Sequence, residues 1–179
     1  MTVDPATREA ILAAIPSLRA FAVSLSGSVD RADDLVQETL TRALANIDSF
    51  RPGSNMPAWL FTILRNHFRS EYRKRRREVE DPDGWYAENL KSQPEQESHV
   101  EYEELRAAMA LLPDEQREAL ILVGASGFSC EEAAEICGCA VGTIKSRVSR
   151  ARRRLAERLS LAEDSAAASD EPPRRAVSG

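Results

Sequence analysis

The sequence contains few aromatic residues and no long apolar run. Aromatic residues make up 6% of its 179 residues, whereas hydrophobic residues as a whole make up 42%. Such a chain has enough apolar residues to bury a core, and its many alanines and leucines favour helices. No apolar run reaches the roughly 18 residues of a membrane-spanning helix, and Asp4, Arg8 and Glu9 stand where a signal peptide would be apolar. We therefore expect no association with a membrane.

Cysteine is also scarce, and no catalytic motif is recognisable. Cys130, Cys137 and Cys139 are close together and odd in number, which favours reduced thiols and a cytoplasmic protein. Cys130 and Cys137 are separated by about 10 Å along one predicted helix, which is too far for a disulfide. Because His67 and His99 lie elsewhere in the sequence, a metal or redox site is a minor alternative. Without a nucleophile–base pair or a Gly-rich phosphate motif, we expect no enzyme activity, catalytic residue, metal, cofactor or small-molecule substrate.

Opposite charges are separated into blocks along the chain, although the net charge is only −5. Residues 51–77 carry 8 basic residues and 1 acidic residue, and residues 142–160 carry 7 basic residues and 1 acidic residue. Between them, residues 78–104 carry 10 acidic residues and 1 basic residue. Because a phosphate backbone meets a local patch of the surface, the two basic blocks favour nucleic-acid binding despite the acidic total.

Residues 127–159 predict two short helices joined by a tight turn. Ser129 and Glu132 have the spacing of a capping box, which would begin the first helix. Gly138 and Gly142 bracket the turn, where residues without Cβ can adopt positive φ. This arrangement is typical of a helix-turn-helix.

The second of these helices is basic outside one apolar stripe. Six arginines and one lysine lie between positions 145 and 158, a pattern that predicts a recognition helix for the DNA major groove. A solvated face or a membrane-surface helix is the alternative. The small apolar stripe fits packing on another helix better than insertion into lipid. It consists of Ile144, Val148, Ala151 and Leu155, at i, i+4, i+7 and i+11.

Hydrophobic periodicity along the whole chain predicts an all-α fold of two small helical domains joined by an acidic, flexible linker. The linker is placed at 81–100, where periodicity is lost, with a short helix near residues 85–90. The second domain, at 101–162, contains the helix-turn-helix, and 163–179 is predicted to be a disordered tail. The first domain, at 1–80, has predicted helices at 8–25, where Pro16 would kink or restart the helix, at 30–47 and at 57–77.

The helix predicted at 57–77 has two different faces. A polar face combines an aromatic ring, an amide and arginines, which suits single-stranded or distorted nucleic acid through stacking, base-edge hydrogen bonds and phosphate neutralisation. The alternative is that Trp59 belongs to the core and the basic run 73–77 is a solvated helix end, where cations complement the helix dipole. The buried stripe is Leu60, Ile63, Leu64 and Phe68, and the polar face is Trp59, Thr62, Asn66, Arg69 and Arg73.

Four ordered segments resemble bacterial sigma factors of the extracytoplasmic-function (ECF) group of the sigma-70 family. They are RADDLVQETLTRALANIDSF (31–50), MPAWLFTILRNHFRSEYRKRRR (56–77), LPDEQREALILV (112–123) and the helix-turn-helix. The resemblance covers residues 10–160 with the two-domain spacing of the family. NMPAWLFTILRN and RKRRREVED resemble the general-stress-response, EcfG-like branch in particular. One departure is Ala140, where many members carry a Ser or Thr cap that contributes about 1 kcal/mol.

The resemblance implies a factor that binds core RNA polymerase and directs promoter-specific transcription initiation, here of general stress response genes. The first domain would read and melt the −10 element of promoter DNA, and the second would read the −35 element. An anti-sigma factor would clamp both domains in unstressed cells. The residues implied for the −10 element are Ser49, Phe50, Asn55, Trp59, Asn66, Arg69 and Arg73. Those implied for the −35 element are Lys145, Ser146, Arg147, Ser149, Arg150 and Arg153. Those implied for core polymerase are Asp33, Asp34, Gln37, Glu38 and Arg42.

Two other functions remain open at this stage. The chain could be a sigma-like decoy that binds an anti-sigma factor without driving transcription, although it lacks the receiver half to which such mimics are usually joined. It could also be a stand-alone helix-turn-helix regulator, which would leave the acidic surface of residues 33–42 and the aromatic–arginine helix unexplained. Asp33 and Asp34 have a purely structural alternative, because carboxylates near a helix N-terminus complement the helix dipole.

Overall fold

The computed structural model describes residues 3–78 and 100–169, and every regular element within those two ranges is helical. The all-α prediction is therefore confirmed for the described residues. The linker prediction, with its helix near residues 85–90, lies almost wholly outside them. The helices are α1 (Pro5–Ser26), α2 (Val29–Ala45), α3 (Met56–Glu78), α4 (Val100–Ala110), α5 (Asp114–Leu120), α6 (Cys130–Cys137) and α7 (Val141–Ser169), with a 3-10 turn at Ile47–Ser49 and a π-helical turn at Ile121–Ala125. We call α1–α3 the N-terminal unit and α4–α7 the C-terminal unit.

The first helix is continuous through Pro16, so the restart expected there does not occur. Asp4 begins the helix by accepting a hydrogen bond from the backbone N–H of Thr7 at 3.0 Å. Gly27 ends it at φ 69°, a left-handed conformation that glycine adopts without a steric penalty. Buried residues on both sides of Pro16, including Ile11 and Leu18, anchor the helix to the core and compensate for the hydrogen bond that proline cannot donate.

Helix α1 is also the one described helix that is long and apolar enough to cross a membrane. The sequence prediction overlooked it. Its buried residues Leu18, Phe21 and Ala22 have no exposed surface and pack where α1 meets α2 and α3. This packing is that of a core helix in a globular unit.

The N-terminal unit packs its three helices pairwise around one apolar centre. Leu60, Phe61 and Leu64 of α3 are 0–1% exposed, and the rings of Phe21 and Phe61 stack with centroids 4.9 Å apart. Three of the four residues in the predicted stripe of α3 are buried, and the fourth, Ile63, packs against the core from a partly exposed position.

The C-terminal unit contains the predicted helix-turn-helix, formed by α6 and α7. Both hydrogen bonds of the capping box are present: Ser129 Oγ accepts from the backbone N–H of Glu132 at 3.1 Å, and Glu132 Oε2 accepts from the backbone N–H of Ser129 at 2.9 Å. Gly138 ends α6 at φ 62°. Ile144, Val148 and Ala151 bury the predicted face of α7.

Two details of this unit were predicted wrongly. Gly142 does not adopt positive φ, because it already lies in the first turn of α7. The disordered tail predicted from residue 163 instead continues α7 as helix through Ser169. Alanine, leucine and glutamate dominate 161–168, and their high helix propensity allows the extension. Residues 170–179 lie outside the described part of the chain.

The two units share a single hydrophobic core. Buried residues of α1–α3 and of α5–α7 form one contiguous cluster. Phe61 of α3 joins them, because its ring contacts Phe128 of the C-terminal unit edge-on, with centroids 4.9 Å apart. The packing of α3 against α6 brings the polar face of α3 close to α5.

Candidate nucleic-acid interface

The loop before α3 is held next to an aromatic side chain. Asn55 caps α3, because its Oδ1 accepts from the backbone N–H of Ala58 at 3.0 Å. The rings of Phe50 and Trp59 lie 5.2 Å apart at an angle of 53°. Trp59 is partly exposed and also packs against the core. The core alternative for Trp59 therefore holds in part, because the ring packs against the core and also contacts Phe50, another predicted −10 residue.

The polar face of α3 opens into a cavity of about 550 Å³ between α3 and α5. Asn66, Arg69 and Arg73 line one wall of this cavity, and Asp114, Glu115 and Glu118 line the other. Asn66 and Arg73 are exposed, whereas Arg69 is partly buried. Ser49 is also exposed, on the 3-10 turn. Phe50 and Trp59 are thus in contact with each other, and Asn66, Arg69 and Arg73 share one cavity.

Helix α7 presents most of the predicted −35 residues to solvent. Lys145, Ser149, Arg150 and Arg153 are exposed. The hydroxyl of Ser146 is hydrogen-bonded within α7, where Ser146 Oγ donates to the backbone carbonyl of Thr143 at 2.9 Å. A helix with exposed cations on one side and a buried apolar stripe on the other can lie in a DNA groove while its unit stays folded.

Arg147 differs from its exposed neighbours on α7, because its side chain is partly buried and bonded to other residues of the C-terminal unit. Its guanidinium donates to Glu115 of α5, and Nη1 lies 3.7 Å from the sulfur of Cys139. The side chain of Arg147 is 17% exposed, against 54% for Glu115. In this conformation Arg147 is engaged within the protein.

The interface between the N-terminal and C-terminal units, which we call the seam, contains a buried ion pair. The sequence analysis did not predict this pair. Arg65 of α3 is 6% exposed and Glu118 of α5 is 3% exposed at their side chains. Arg65 Nε donates to Glu118 Oε1 at 2.5 Å, and its Nη2 donates to Oε2 at 3.3 Å. Arg69 Nη2 donates to the same Oε2 at 3.0 Å. Two cations thus neutralise one buried carboxylate.

A second polar contact crosses the same seam. Asn55 Nδ2 donates to Glu132 Oε1 at 2.6 Å, so a predicted −10 residue contacts the capping box of the helix-turn-helix. The pKa of Glu132 is lowered, first by the hydrogen bond from the backbone N–H of Ser129 and then by the one from Asn55. Glu132 therefore caps α6 and contacts the other unit at once.

A weak signal for the buried arginine is present in the sequence. Phe61, Arg65 and Phe68 recur at i, i+4 and i+7, which is the spacing of one helix face. An arginine within an apolar stripe predicts a buried partner carboxylate, because a buried charge requires compensation. Nothing in the sequence identifies that partner as Glu118, 53 positions away.

The surface predicted to contact polymerase lies on the exposed side of α2. Asp33, Asp34, Gln37 and Arg42 are exposed, and Glu38 is partly exposed. Arg19 Nε donates to Asp33 at 2.6 Å, and Arg42 Nε donates to Glu38 at 2.6 Å. These hydrogen bonds lower the pKa of both carboxyl groups, which stay ionised at neutral pH.

The three cysteines are free thiols in different surroundings. Cys137 is buried on α6, and burial raises its pKa to about 12, whereas Cys130 and Cys139 are partly exposed. No group of three or more His, Cys, Asp or Glu side chains within residues 3–78 and 100–169 is arranged to hold a metal ion.

Comparison with known proteins covers both units. Residues 11–78 match the model described as Sigma-70 region 2, and residues 102–155 match the model described as Sigma-70, region 4. The ECF RNA polymerase sigma factor EcfG of Rhodopseudomonas palustris (strain TIE-1) is 76% identical over 155 residues, which cover 87% of this chain and 86% of that protein.

Two solved structures with the same fold are complexes. The sigma factor RpoE in a co-crystal structure with the anti-sigma factor NepR from Bartonella quintana is 56% identical, with a TM-score of 0.76 over 86% of this chain and 96% of RpoE. CnrH, solved in complex with the cytosolic domain of CnrY, is 26% identical, with a TM-score of 0.64 over 87% of this chain and 88% of CnrH.

Proposed function

Because the chain belongs to the ECF group of the sigma-70 family of RNA polymerase sigma factors, we propose that it is the sigma factor of a general stress response. It is a transcription initiation factor and not an enzyme, and its partners are core RNA polymerase and promoter DNA. The branch follows from the 76% identity to EcfG, which extends over 87% of the chain. ECF sigma factors are soluble transcription factors, and we infer a cytoplasmic location, where polymerase and promoters are found.

We assign reading and melting of the −10 element to the N-terminal unit. Extruding a base from duplex DNA costs a few kcal/mol, so a preformed site beside an aromatic ring would promote melting. The proximity of Phe50 and Trp59 supports such a site, and Asn66 is exposed to read a base edge. Arg69 and Arg73 supply positive charge for the phosphates along the same face. Ser49 and Asn55 complete the site from the preceding loop.

We assign recognition of the −35 element to α7. Its N-terminal members, Lys145, Ser146 and Arg147, would lie nearest the base edges, as in other helix-turn-helix proteins. Ser149, Arg150 and Arg153 continue the same surface. A bidentate arginine–guanine contact is worth about 1–3 kcal/mol of discrimination. The exposure of Lys145, Ser149, Arg150 and Arg153 supports this assignment.

We assign core polymerase binding to Asp33, Asp34, Gln37, Glu38 and Arg42 on α2. Their carboxylates lie on the exposed side of the helix, and those of Asp33 and Glu38 are held by hydrogen bonds from Arg19 and Arg42. We also propose an anti-sigma factor as a partner, because the RpoE of Bartonella quintana, 56% identical to this chain, was solved with one. Such a protein would hold the two units in a form that polymerase does not bind.

The relationships favour this function over the two alternatives. A decoy would need no promoter-reading residues, yet exposed candidates remain on both units, and the EcfG that is 76% identical is a sigma factor. A stand-alone regulator would need only the helix-turn-helix, whereas both sigma-70 regions are present.

Run-off transcription with purified bacterial core polymerase tests the proposal. The wild-type chain should produce a specific transcript from a stress promoter, and Asn66→Ala and Arg150→Ala should each weaken it. Arg158→Ala, which removes an exposed charge late in α7, is the control and should have little effect. Polymerase binding without a transcript from any promoter would favour the decoy, and no polymerase binding would contradict the proposal.

A further inference from the structure

Helix α5 places two carboxylates between the two surfaces assigned to DNA. Glu115 and Glu118 are separated by one helical turn and share a face. Glu118 binds Arg69 of α3 at 3.0 Å, and Glu115 lies 3.9 Å from Arg69 while it also binds Arg147 of α7. Arg69 belongs to the proposed −10 surface and Arg147 to the proposed −35 surface. One short helix therefore engages a cation from each.

We propose that Glu115 and Glu118 form an intramolecular latch that substitutes for DNA phosphates and keeps the free chain from binding promoters. This proposal rests on the assignment of Arg69 and Arg147 to DNA in the proposed function. The closed conformation described above is the latched state. Opening it separates α3 from α5 and frees Arg69 from Glu118. Arg147 and Glu115 lie in the same unit, so a phosphate frees Arg147 by displacing the Glu115 side chain.

The burial of Glu118 makes its part of the latch specific to the closed conformation, whereas Glu115 is largely exposed. Glu118 is 3% exposed and is neutralised by Arg65 and Arg69 together. A buried carboxylate is stable only with such partners, and removal of either side leaves an uncompensated buried charge. When the units separate, Arg65, Arg69 and Glu118 all regain water, so opening leaves no unsatisfied polar group, although it also exposes the apolar contact of Phe61 with Phe128. A polyanion can then take the place of the carboxylates.

The cavity between α3 and α5 supports the same competition. Asn66, Arg69 and Arg73 line it opposite Asp114, Glu115 and Glu118. Each of these carboxylates is already paired with an arginine, and Glu118 holds Arg69 at 3.0 Å. A DNA strand that entered the cavity could therefore bind Arg69 only by displacing Glu118.

The test compares promoter affinity of the full-length chain in the absence of polymerase. The latch variant is Glu115→Gln/Glu118→Gln, and the matched control is Glu131→Gln/Glu135→Gln, which removes two exposed carboxylates from α6 of the same unit. Fluorescence anisotropy at one fixed salt concentration gives the Kd for a labelled promoter duplex with a pre-melted −10 element. Small-angle X-ray scattering reports whether the units separate.

The latch variant should bind the duplex more tightly than the control variant, because the apparent Kd scales inversely with the fraction of the chain that is open. If about nine-tenths of the free chain is closed, the gain should be about tenfold. Its radius of gyration should also increase. Equal affinities in the two variants would overturn the proposal. Glu115→Gln alone keeps the test valid if Glu118→Gln impairs folding, since Glu115 is 54% exposed, and it should give a smaller gain of the same sign.

Failure of the latch and failure of the proposed function give different results. If wild-type and latch variants drive the same transcript with core polymerase but bind free DNA equally, the latch is absent and the sigma function stands. If neither drives a transcript, the proposed function itself fails, and with it the latch.

Discussion

At the scale of single residues, the most unusual feature is an ion pair buried in the seam between the two units. Arg65 and Glu118 lie in the seam with side-chain exposures of 6% and 3%, and each is the other's main partner. Around them the contacts are apolar, and Phe61 joins Phe21 to Phe128. A charged pair in such a place contributes little net stability but strongly penalises any arrangement that separates one charge without water. The pair therefore favours the arrangement of the two units in which both charges stay together.

Cys137 should be the least reactive of the three thiols. It is buried, and burial raises its pKa to about 12, so the nucleophilic thiolate is absent near neutral pH. Alkylation of the native chain with iodoacetamide at pH 8, followed by mass spectrometry, should modify Cys130 and Cys139 well before Cys137. In denaturant all three should react at similar rates. Equal labelling of Cys137 in the native chain would contradict the burial described here.

Individual residues differ in how far the sequence predicts their positions. The capping pair Ser129 and Glu132 was predicted because its signal is local and complete within four residues. The ion pair of Arg65 with Glu118 was not, because its two members are 53 positions apart and belong to different units. Gly142 was misassigned because glycine marks both turns and first helical turns, and only the backbone distinguishes them.

At the scale of elements, the helix-turn-helix depends on its capping. The box at the start of α6 satisfies backbone groups that a helix end leaves unpaired. The start of α7 has no such side chain, since Ala140 precedes it, and its first turn instead uses the backbone carbonyl of Ala140, which accepts from Thr143 at 2.9 Å. The motif therefore has a side-chain cap at the start of α6 and only backbone hydrogen bonds at the start of α7.

Ser129→Ala should destabilise the chain by about 1 kcal/mol, the usual contribution of an N-cap hydroxyl. Urea unfolding followed by circular dichroism measures the difference in the free energy of unfolding. Ser160→Ala, at an exposed position late in α7, is the control and should change that free energy by less than about 0.5 kcal/mol. Equal changes in the free energy of unfolding for the two substitutions would show that the Ser129 cap contributes no more to stability than an exposed serine.

The positions of the helices were predicted more accurately than the residues at which they end. Periodicity located the long helices, because their apolar stripes are strong and their caps are local. Pro16 suggested a break that packing on both sides prevents. The end of α7 was placed too early, because a polar, alanine-rich segment is typical of tails as well as of exposed helix.

At the scale of the whole molecule, the three candidate surfaces differ in accessibility. The acidic surface of α2 is exposed in the closed conformation, whereas Arg69 and Arg147 are engaged by α5. Polymerase could therefore contact α2 before the units separate. The sequence predicted two helical units but not their mutual packing, because an interface between distant segments leaves no local pattern. The one local sign is Arg65, which interrupts the apolar face of α3.

Charge reversal on α2 should weaken polymerase binding selectively. Asp34→Lys replaces an exposed carboxylate and leaves the pair of Arg19 with Asp33 in place. We expect the Kd for core polymerase to rise on the order of tenfold or more, because like charges would then face each other at the interface. Glu9→Lys, at an exposed position of α1, changes the net charge equally and should have little effect. Equal Kd values for both variants would remove α2 from the interface.

Transcription from promoters altered in one element at a time tests most directly that each unit reads its own element. Run-off assays would combine wild type, Asn66→Ala and Arg150→Ala with promoters substituted in the −10 or the −35 element. Arg150→Ala should lose sensitivity to −35 substitutions and keep sensitivity to −10 substitutions, and Asn66→Ala should show the reverse. If both variants kept the full sensitivity of the wild type to both elements, the assignment of the two surfaces to promoter recognition would be wrong.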